Sequence, residues 1–271
     1  MENLYVLKFG GNAIRGQDDM MRLSREIAGL IKEGAKIVLV HGGGPMISEE
    51  MEERGMSPEK VGGLRVTDAD VLEVTEIVLR RINGQVVSCL NGCGVQAVGI
   101  PGYFCTMCER KRPVKVVEDG KEMEVDLGLV GEVVGTDPNT LFDLLEQGIT
   151  PVVYPIGKDR DGRMLNVNAD TMVAGIAADI GCREMITITD VPGILTDVKD
   201  PSSKLDSVTL DELDGLIADG VISGGMIPKV EACRKAILAG VEVVRMVNGK
   251  DPRSIVSDVM KDTPHGTVIT R

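Results

Sequence analysis

The stretch KIVLVHGGGP (residues 36–45) decides how the rest of the chain is read. Ile37 to Val40 form an unbroken apolar run, the pattern of a strand covered on both faces in a parallel sheet. His41 then leads into three glycines and a proline. Glycines at a strand end let backbone N–H groups approach an anion, and the dipole of the following helix, MISEEMEERG (46–55), adds to the attraction.

Upstream lies a similar unit. LYVLKFG (4–10) reads as a buried strand that ends on Lys8, Gly10 and Gly11. DDMMRLSREIAGLIKEGAK follows, with Met20, Leu23, Ile27, Leu30 and Ile31 at helical spacing, Asp18 or Asp19 as cap and Gly34 as stop. The chain therefore opens βαβα. Downstream, a long helix is predicted from Asp68 with Thr67 as its cap, then a strand VQAVGI (95–100) and a hairpin turning at Asp119-Gly120. A strand LVGEVVG (129–135), a helix from Asp137 and a strand TPVVYPIG (150–157) come next. They are followed by a helix NADTMVAGIAADIG, a strand REMITITD, the helices TLDELDGLIADG and MIPKVEACRKAILAG, and a strand VEVVRMV.

Composition sets limits. The 271 residues are 43% apolar, enough for one large α/β domain or two lobes, while aromatics are 2% with no tryptophan, so the core is built from Val, Ile, Leu, Ala and Met. A net charge of −12 argues against a nucleic-acid or anionic-membrane surface. No apolar run approaches the ~18 residues of a membrane span, and MENLYVLKFGG lacks the features of a signal peptide. The expectation is a cytosolic chain whose six cysteines are thiols.

Several motifs suggest anion chemistry. Lys8 and Lys229 each stand beside a glycine pair, Gly10-Gly11 and Gly224-Gly225. NVNAD gathers Asn166, Asn168 and Asp170 before a helix, more polar residues than a cap needs. Arg65, between Gly62-Gly63 and the long helix, has the fork geometry to clamp a carboxylate. Neither a G-x-x-x-x-G-K-[ST] nor a G-x-G-x-x-G fingerprint occurs. The HGGG of residues 41–44 occurs in esterases too, but no G-x-S-x-G elbow accompanies it, and His41 and His265 are the only histidines. Cys89, Cys93, Cys105 and Cys108 fall at spacings that raise a zinc site. The helical setting of the first pair argues against it, and no metal is expected. Cys182 and Cys233 read as small core residues.

VLKFGGNAI (6–14), VLVHGGGP (38–45), GGLRVTD (62–68), DLGLVGEV (126–133), NVNAD (166–170), ITDVPGIL (188–195) and ISGGMIPKVEAC (222–233) occur in the order expected of the amino-acid kinase family. The sequence resembles that family, and within it the branch acting on N-acetyl-L-glutamate. The resemblance implies an α/β/α sandwich around a mainly parallel eight-stranded sheet, with an acceptor half (1–181) and a nucleotide half (182–271) sharing one continuous sheet. It implies transfer of phosphoryl from ATP, with Mg2+, to the side-chain carboxylate of the acceptor, in arginine biosynthesis. By resemblance, Lys8 and Lys229 meet the moving phosphoryl group and Asp170 orients them. Gly10 and Gly11 give N–H donors to phosphate. Gly43, Gly44, Arg65 and Asn166 hold the acceptor. Asp190, Val191, Pro192, Gly193, Ile194 and Leu195, with Val221, Ile222 and Ser223, line the nucleotide site. Residues 101–125 depart from the family pattern.

A relative acting on carrier-bound aminoadipate or glutamate would keep the same chemistry, but GLRVTD and the acidic net charge favour a free acceptor. A non-catalytic sensor on this fold would not need both lysines and Asp170. The first strand starts near Leu4, which leaves no room for the additional N-terminal helix of arginine-inhibited hexameric members. The expectation is a homodimer without arginine feedback. Its predicted interface is the stripe Val71, Leu72, Val74, Ile77 and Val78 of the long helix.

Overall fold

In a computed structural model, residues 3–10, 16–118, 121–224, 226–249 and 266–271 are described. The main sheet has eight strands. In spatial order these are β14 (Ser207–Thr209), β16 (Thr267–Thr270), β15 (Val244–Asn248), β13 (Glu184–Thr189), β1 (Leu4–Phe9), β2 (Lys36–His41), β10 (Thr150–Tyr154) and β5 (Ala97–Pro101). All neighbours are parallel except β15 and β16. A smaller sheet stacks β11 (Ile156–Lys158), β12 (Met164–Val167), β9 (Val130–Thr136) and β6 (Thr106–Arg110). Two ribbons complete the strands, β3 (Lys60–Val61) with β4 (Leu64–Arg65), and β7 (Val114–Glu118) with β8 (Lys121–Val125).

Seven helices occur among the described residues: α1 (Gln17–Lys32), α2 (Gly44–Glu53), α3 (Ala69–Gly92), α4 (Pro138–Glu146), α5 (Ala169–Asp179), α6 (Leu210–Ala218) and α7 (Met226–Leu238). They cover both faces of the main sheet. Strand side chains alternate between faces, so Tyr5, Leu7 and Phe9 pack with α1, α2 and α3, while Leu4 and Val6 pack with α4, α5, α6 and α7. The expected α/β/α sandwich is the observed one. The same parity points Lys8 towards α5 and α7, although it belongs to a strand whose other residues form the core.

Local readings changed in four places. Asp68, not Thr67, caps α3, accepting from the Val71 amide at 2.8 Å. Gly16, not Asp18 or Asp19, stands at the start of α1. The run 150–157 is two strands in two sheets, parted at Pro155, whose missing N–H cannot extend a ladder. The apolar stripe of α3 is largely core: Val71, Val74 and Val78 are buried under α1 and α2, and of the five only Ile77 is exposed. The turn Asp119-Gly120 lies outside the described residues. All six cysteines are free, and among the described residues no three His, Cys, Asp or Glu side chains are placed to hold a metal.

Candidate active site

The C-terminal ends of β1, β2 and β13 open on one side of the sheet. β1 lies where the strand order reverses, since β2 follows on one side and β13 on the other; ligands of open α/β sheets bind at that crevice. A cavity of about 360 Å³ occurs there. Lys8, Gly43, Gly44, Arg65, Asn166, Asp170 and Lys229, named from the sequence as site residues, all line it.

Lys8 is almost fully buried and its ammonium meets Asp170 Oδ1 at 2.7 Å. Asp170 is in the first turn of α5, whose cap Asn168 accepts from the amides of Asp170 and Thr171. NVNAD thus divides its work. Asn168 starts the helix, Asp170 fixes the lysine, and Asn166 on β12 faces the cavity while its amide donates to Thr67 Oγ1 at 3.1 Å. Lys229, in the first turn of α7, faces Lys8 across the cavity and lies 3.9 Å from Asp190. Cys233 packs beside the Lys8–Asp170 pair, and burial pushes its thiol up to about 12, so it stays neutral.

Arg65 has a different environment. It is 7% exposed, and its guanidinium donates to Ser48 Oγ at 2.7 Å, the Gly44 carbonyl at 3.1 Å and Met51 Sδ at 3.0 Å. All three acceptors are neutral, and burial lowers the guanidinium's pKa from its ordinary value. The structure therefore holds a buried cation at the cavity wall with no carboxylate of the described residues within ion-pair distance. A buried, fixed guanidinium in such a place favours an anionic ligand group.

One expected role changes. The Gly10 amide donates to the Ile188 carbonyl at 3.0 Å, so it is not a free donor for phosphate. Its lack of a side chain matters instead, because a β-carbon would press on that carbonyl and stand beside the Lys8 ammonium. Gly11 lies outside the described residues. Ile194, in the loop after β13, and Ile222, between α6 and α7, are buried and belong to the core, and the Ile194 amide is held by Thr267 Oγ1 at 2.9 Å. Val191 closes on Thr189 through its amide and carbonyl. Gly193 has φ +141 and a β-carbon there would strike Thr267 Oγ1, so only glycine fits. None of Asp190 to Leu195 or Val221 to Ser223 lines this cavity, and Asp190 lies against it through Lys229.

Lys60 and Ser48 went unread in the sequence, and Thr67 was read only as a helix cap. Lys60 lines the cavity from β3, opposite Arg65 in the register. Its signal was its place two residues before Gly62-Gly63. Ser48 and Thr67 hold Arg65 and Asn166, partnerships that spacing does not reveal.

His41 is fully buried, and desolvation lowers its pKa to about 4. A histidine that is neutral when folded stabilises the fold fully above its ordinary pKa of 6.5. From there down to about 4 the unfolded chain takes up a proton that the folded chain does not, which removes about 3 kcal/mol of stability. Urea denaturation at pH 7 and pH 4 should show this loss in the wild type and much less of it in His41→Asn. An imidazole resonance of His41 titrating near 6.5 would show that the buried neutral state is wrong.

Comparison with known proteins agrees with the geometry. A model of the amino acid kinase family matches residues 3–248. The acetylglutamate kinase of Methanococcus maripaludis strain C7 is 39% identical over 98% of this chain and 91% of its own length. That of Methanosarcina acetivorans is 41% identical over 99% of this chain and 91% of its own. Among solved structures, the N-acetylglutamate synthase of Neisseria gonorrhoeae superposes with a TM-score of 0.82 at 21% identity, over 99% of this chain and 59% of that one, a likeness of fold alone. With lysines, aspartate and glycine loop brought together at the switch point of such a sheet, and relatives matched over nine-tenths of their length, the chain belongs to the amino acid kinase family.

Proposed function

We propose that the chain transfers the γ-phosphoryl group of ATP to the side-chain carboxylate of N-acetyl-L-glutamate, giving an acyl phosphate, as a step of arginine biosynthesis. The buried, carboxylate-free Arg65 opposite the Lys8–Asp170 pair supports this most directly. It offers one end of the cavity to the acceptor's α-carboxylate, and Asn166 offers an amide to the acyl group. The near-full-length acetylglutamate kinase relatives point to the same substrate.

The chemistry needs no general base, because a glutamate side chain is ionised at neutral pH. A carboxylate oxygen forms a bond to the γ-phosphorus as the bond from that phosphorus to the bridging oxygen breaks, and ADP departs with the bond's electrons. The barrier is the approach of two anions and the charge spread over the transferring group. Lys8, fixed by Asp170, and Lys229, from the other wall, act on that charge by position. When bound, a Mg2+ would be held chiefly by the nucleotide's phosphates, with few protein ligands. Such an ion would neutralise phosphate charge. Asp190, 3.9 Å from Lys229, is a carboxylate of this chain that would be available to it.

In this reading residues 1–181 hold the acceptor and 182–271 the nucleotide, which enters over the loops Asp190–Leu195 and Val221–Ser223. The protein works in the cytoplasm as a homodimer, without a nucleic-acid or membrane partner. No helix among the described residues is long and apolar enough to cross a membrane. For the dimer, the exposed Ile77 with the exposed Phe104 replaces the stripe first expected, and light scattering gives the mass. The test of activity is ATP turnover with hydroxylamine trapping against N-acetyl-L-glutamate, free glutamate, N-acetyl-aspartate and aminoadipate. Hydroxamate with N-acetyl-L-glutamate is expected, and its absence would refute the assignment.

A further inference from the structure

His41 and Asn83 take no part in the chemistry above, yet both are buried polar side chains directly behind the glycine loop, and they bond to each other. His41 ends β2, and Asn83 is halfway along α3. The Asn83 amide nitrogen lies 2.9 Å from the Val152 carbonyl and 3.1 Å from His41 Nε2. A carbonyl only accepts, so that side-chain atom is the NH₂ group, and its second hydrogen goes to Nε2. Nε2 is therefore an acceptor. The ring's one proton is on Nδ1, which lies 3.0 Å from the Gly42 carbonyl and donates to it.

This fixes a peptide plane. The Gly42 amide donates to the Phe9 carbonyl at 3.1 Å, and the Gly42 carbonyl is held by His41, so Gly42 is pinned on both sides. The Gly42–Gly43 peptide is planar and trans, and in a trans peptide C=O and N–H point in opposite directions. Because the carbonyl points back at a buried imidazole, the Gly43 N–H points the other way, towards the cavity that Gly42, Gly43 and Gly44 line. The space around the pair is also shaped for it. A β-carbon on Gly99 of β5 would collide with the Asn83 carbonyl oxygen, and one on Gly43 would meet Ile82 and Leu79 of α3.

We infer that His41 and Asn83 are positioning residues. Asn83 selects the Nδ1–H tautomer of His41, and that tautomer holds the Gly42–Gly43 peptide with its N–H aimed at the anionic group in the cavity. The inference rests on the phosphoryl-transfer reading for its kinetic part, and on hydrogen-bond geometry alone for its tautomeric part.

Two-bond ¹H–¹⁵N spectra of the histidine rings at neutral pH test the second part. The expected result is His41 protonated on Nδ1 only, and an Nε2–H tautomer would overturn the inference. Asn83→Asp keeps the size but turns the donor into an acceptor, so the His41 proton moves to Nε2 and the Gly42 carbonyl loses its donor. We expect kcat to fall by about 10- to 100-fold, the scale of a misplaced reacting geometry, with the ATP KM changed less than about threefold. His41→Asn, whose amide nitrogen overlies Nδ1, should lose less kcat than His41→Gln, whose nitrogen overlies Nε2. Gly99→Ala, which displaces Asn83 without touching the cavity, should lower kcat in the same direction. If it folds with normal kcat, or if Asn83→Asp shows a reversed tautomer with normal kcat, the inference fails. A wild type inert towards N-acetyl-L-glutamate would overturn the proposed function instead, and the tautomer would still decide the dyad.

Discussion

Replacing Lys8 by alanine is expected to lower kcat by about 10²–10³, and replacing Lys229 to do the same, as the loss of one charge partner of a transition state does. The two lysines reach the cavity from different elements, β1 and α7, and the first is held by Asp170 at 2.7 Å. Asp170→Ala removes the holder and leaves a buried ammonium free to shift, so kcat should fall here too while the ATP KM moves less. The pair acts as a unit. The double variant Lys8→Ala/Asp170→Ala should therefore lose much less than the product of the two single losses. Lys8→Arg should not restore the rate, because a planar fork cannot occupy the space of a point-like ammonium against Gly10. Near-normal kcat in either alanine variant would remove that lysine from the mechanism.

The main sheet was readable because its strands are nearly unbroken apolar runs. Leu4–Leu7 and Ile37–Val40, with Met185–Ile188 broken only by Thr187, leave no choice of exposed face, so they enter the sheet where the sequence places them. What went unread is short or decided at a distance. β3 and β4 have two residues each and β12 four, too few for an alternation to register. The stripe on α3 illustrates the other limit. Periodicity identifies an apolar face but not what covers it, and here α1 and α2 do, leaving Ile77 outside. At the site, lysine–glycine pairs and NVNAD were legible because each motif is local. The Asn83–His41 and Asn166–Thr67 contacts join residues far apart in the chain, and only the fold brings them together.

Arg65→Lys is expected to raise the KM for N-acetyl-L-glutamate by about 10²-fold, the scale of a lost charge-assisted fork, with the ATP KM changed far less. The guanidinium spends both Nη2 hydrogens on Ser48 Oγ and the Gly44 carbonyl and one Nη1 hydrogen on Met51 Sδ, which fix its plane at the cavity wall and leave Nε–H and the other Nη1–H unspent. A lysine ammonium has three donors and no plane. If it bonds Ser48 and Gly44 it retains little for a carboxylate, and if it turns to the carboxylate it leaves Ser48 and Gly44 unpaired. Either way a cation fixed in place with donors to spare becomes one that must choose between its protein partners and the ligand. Because Gly44 belongs to the glycine loop, some loss of kcat should accompany the change in KM, and Ser48→Ala should reproduce that part in milder form by freeing one edge of the guanidinium. An Arg65→Lys enzyme with an altered ATP KM and an unchanged acceptor KM would place Arg65 in the wrong half of the site. The carboxylate end of the acceptor would then have to be sought at Lys60, the other cation that lines this cavity from the same ribbon.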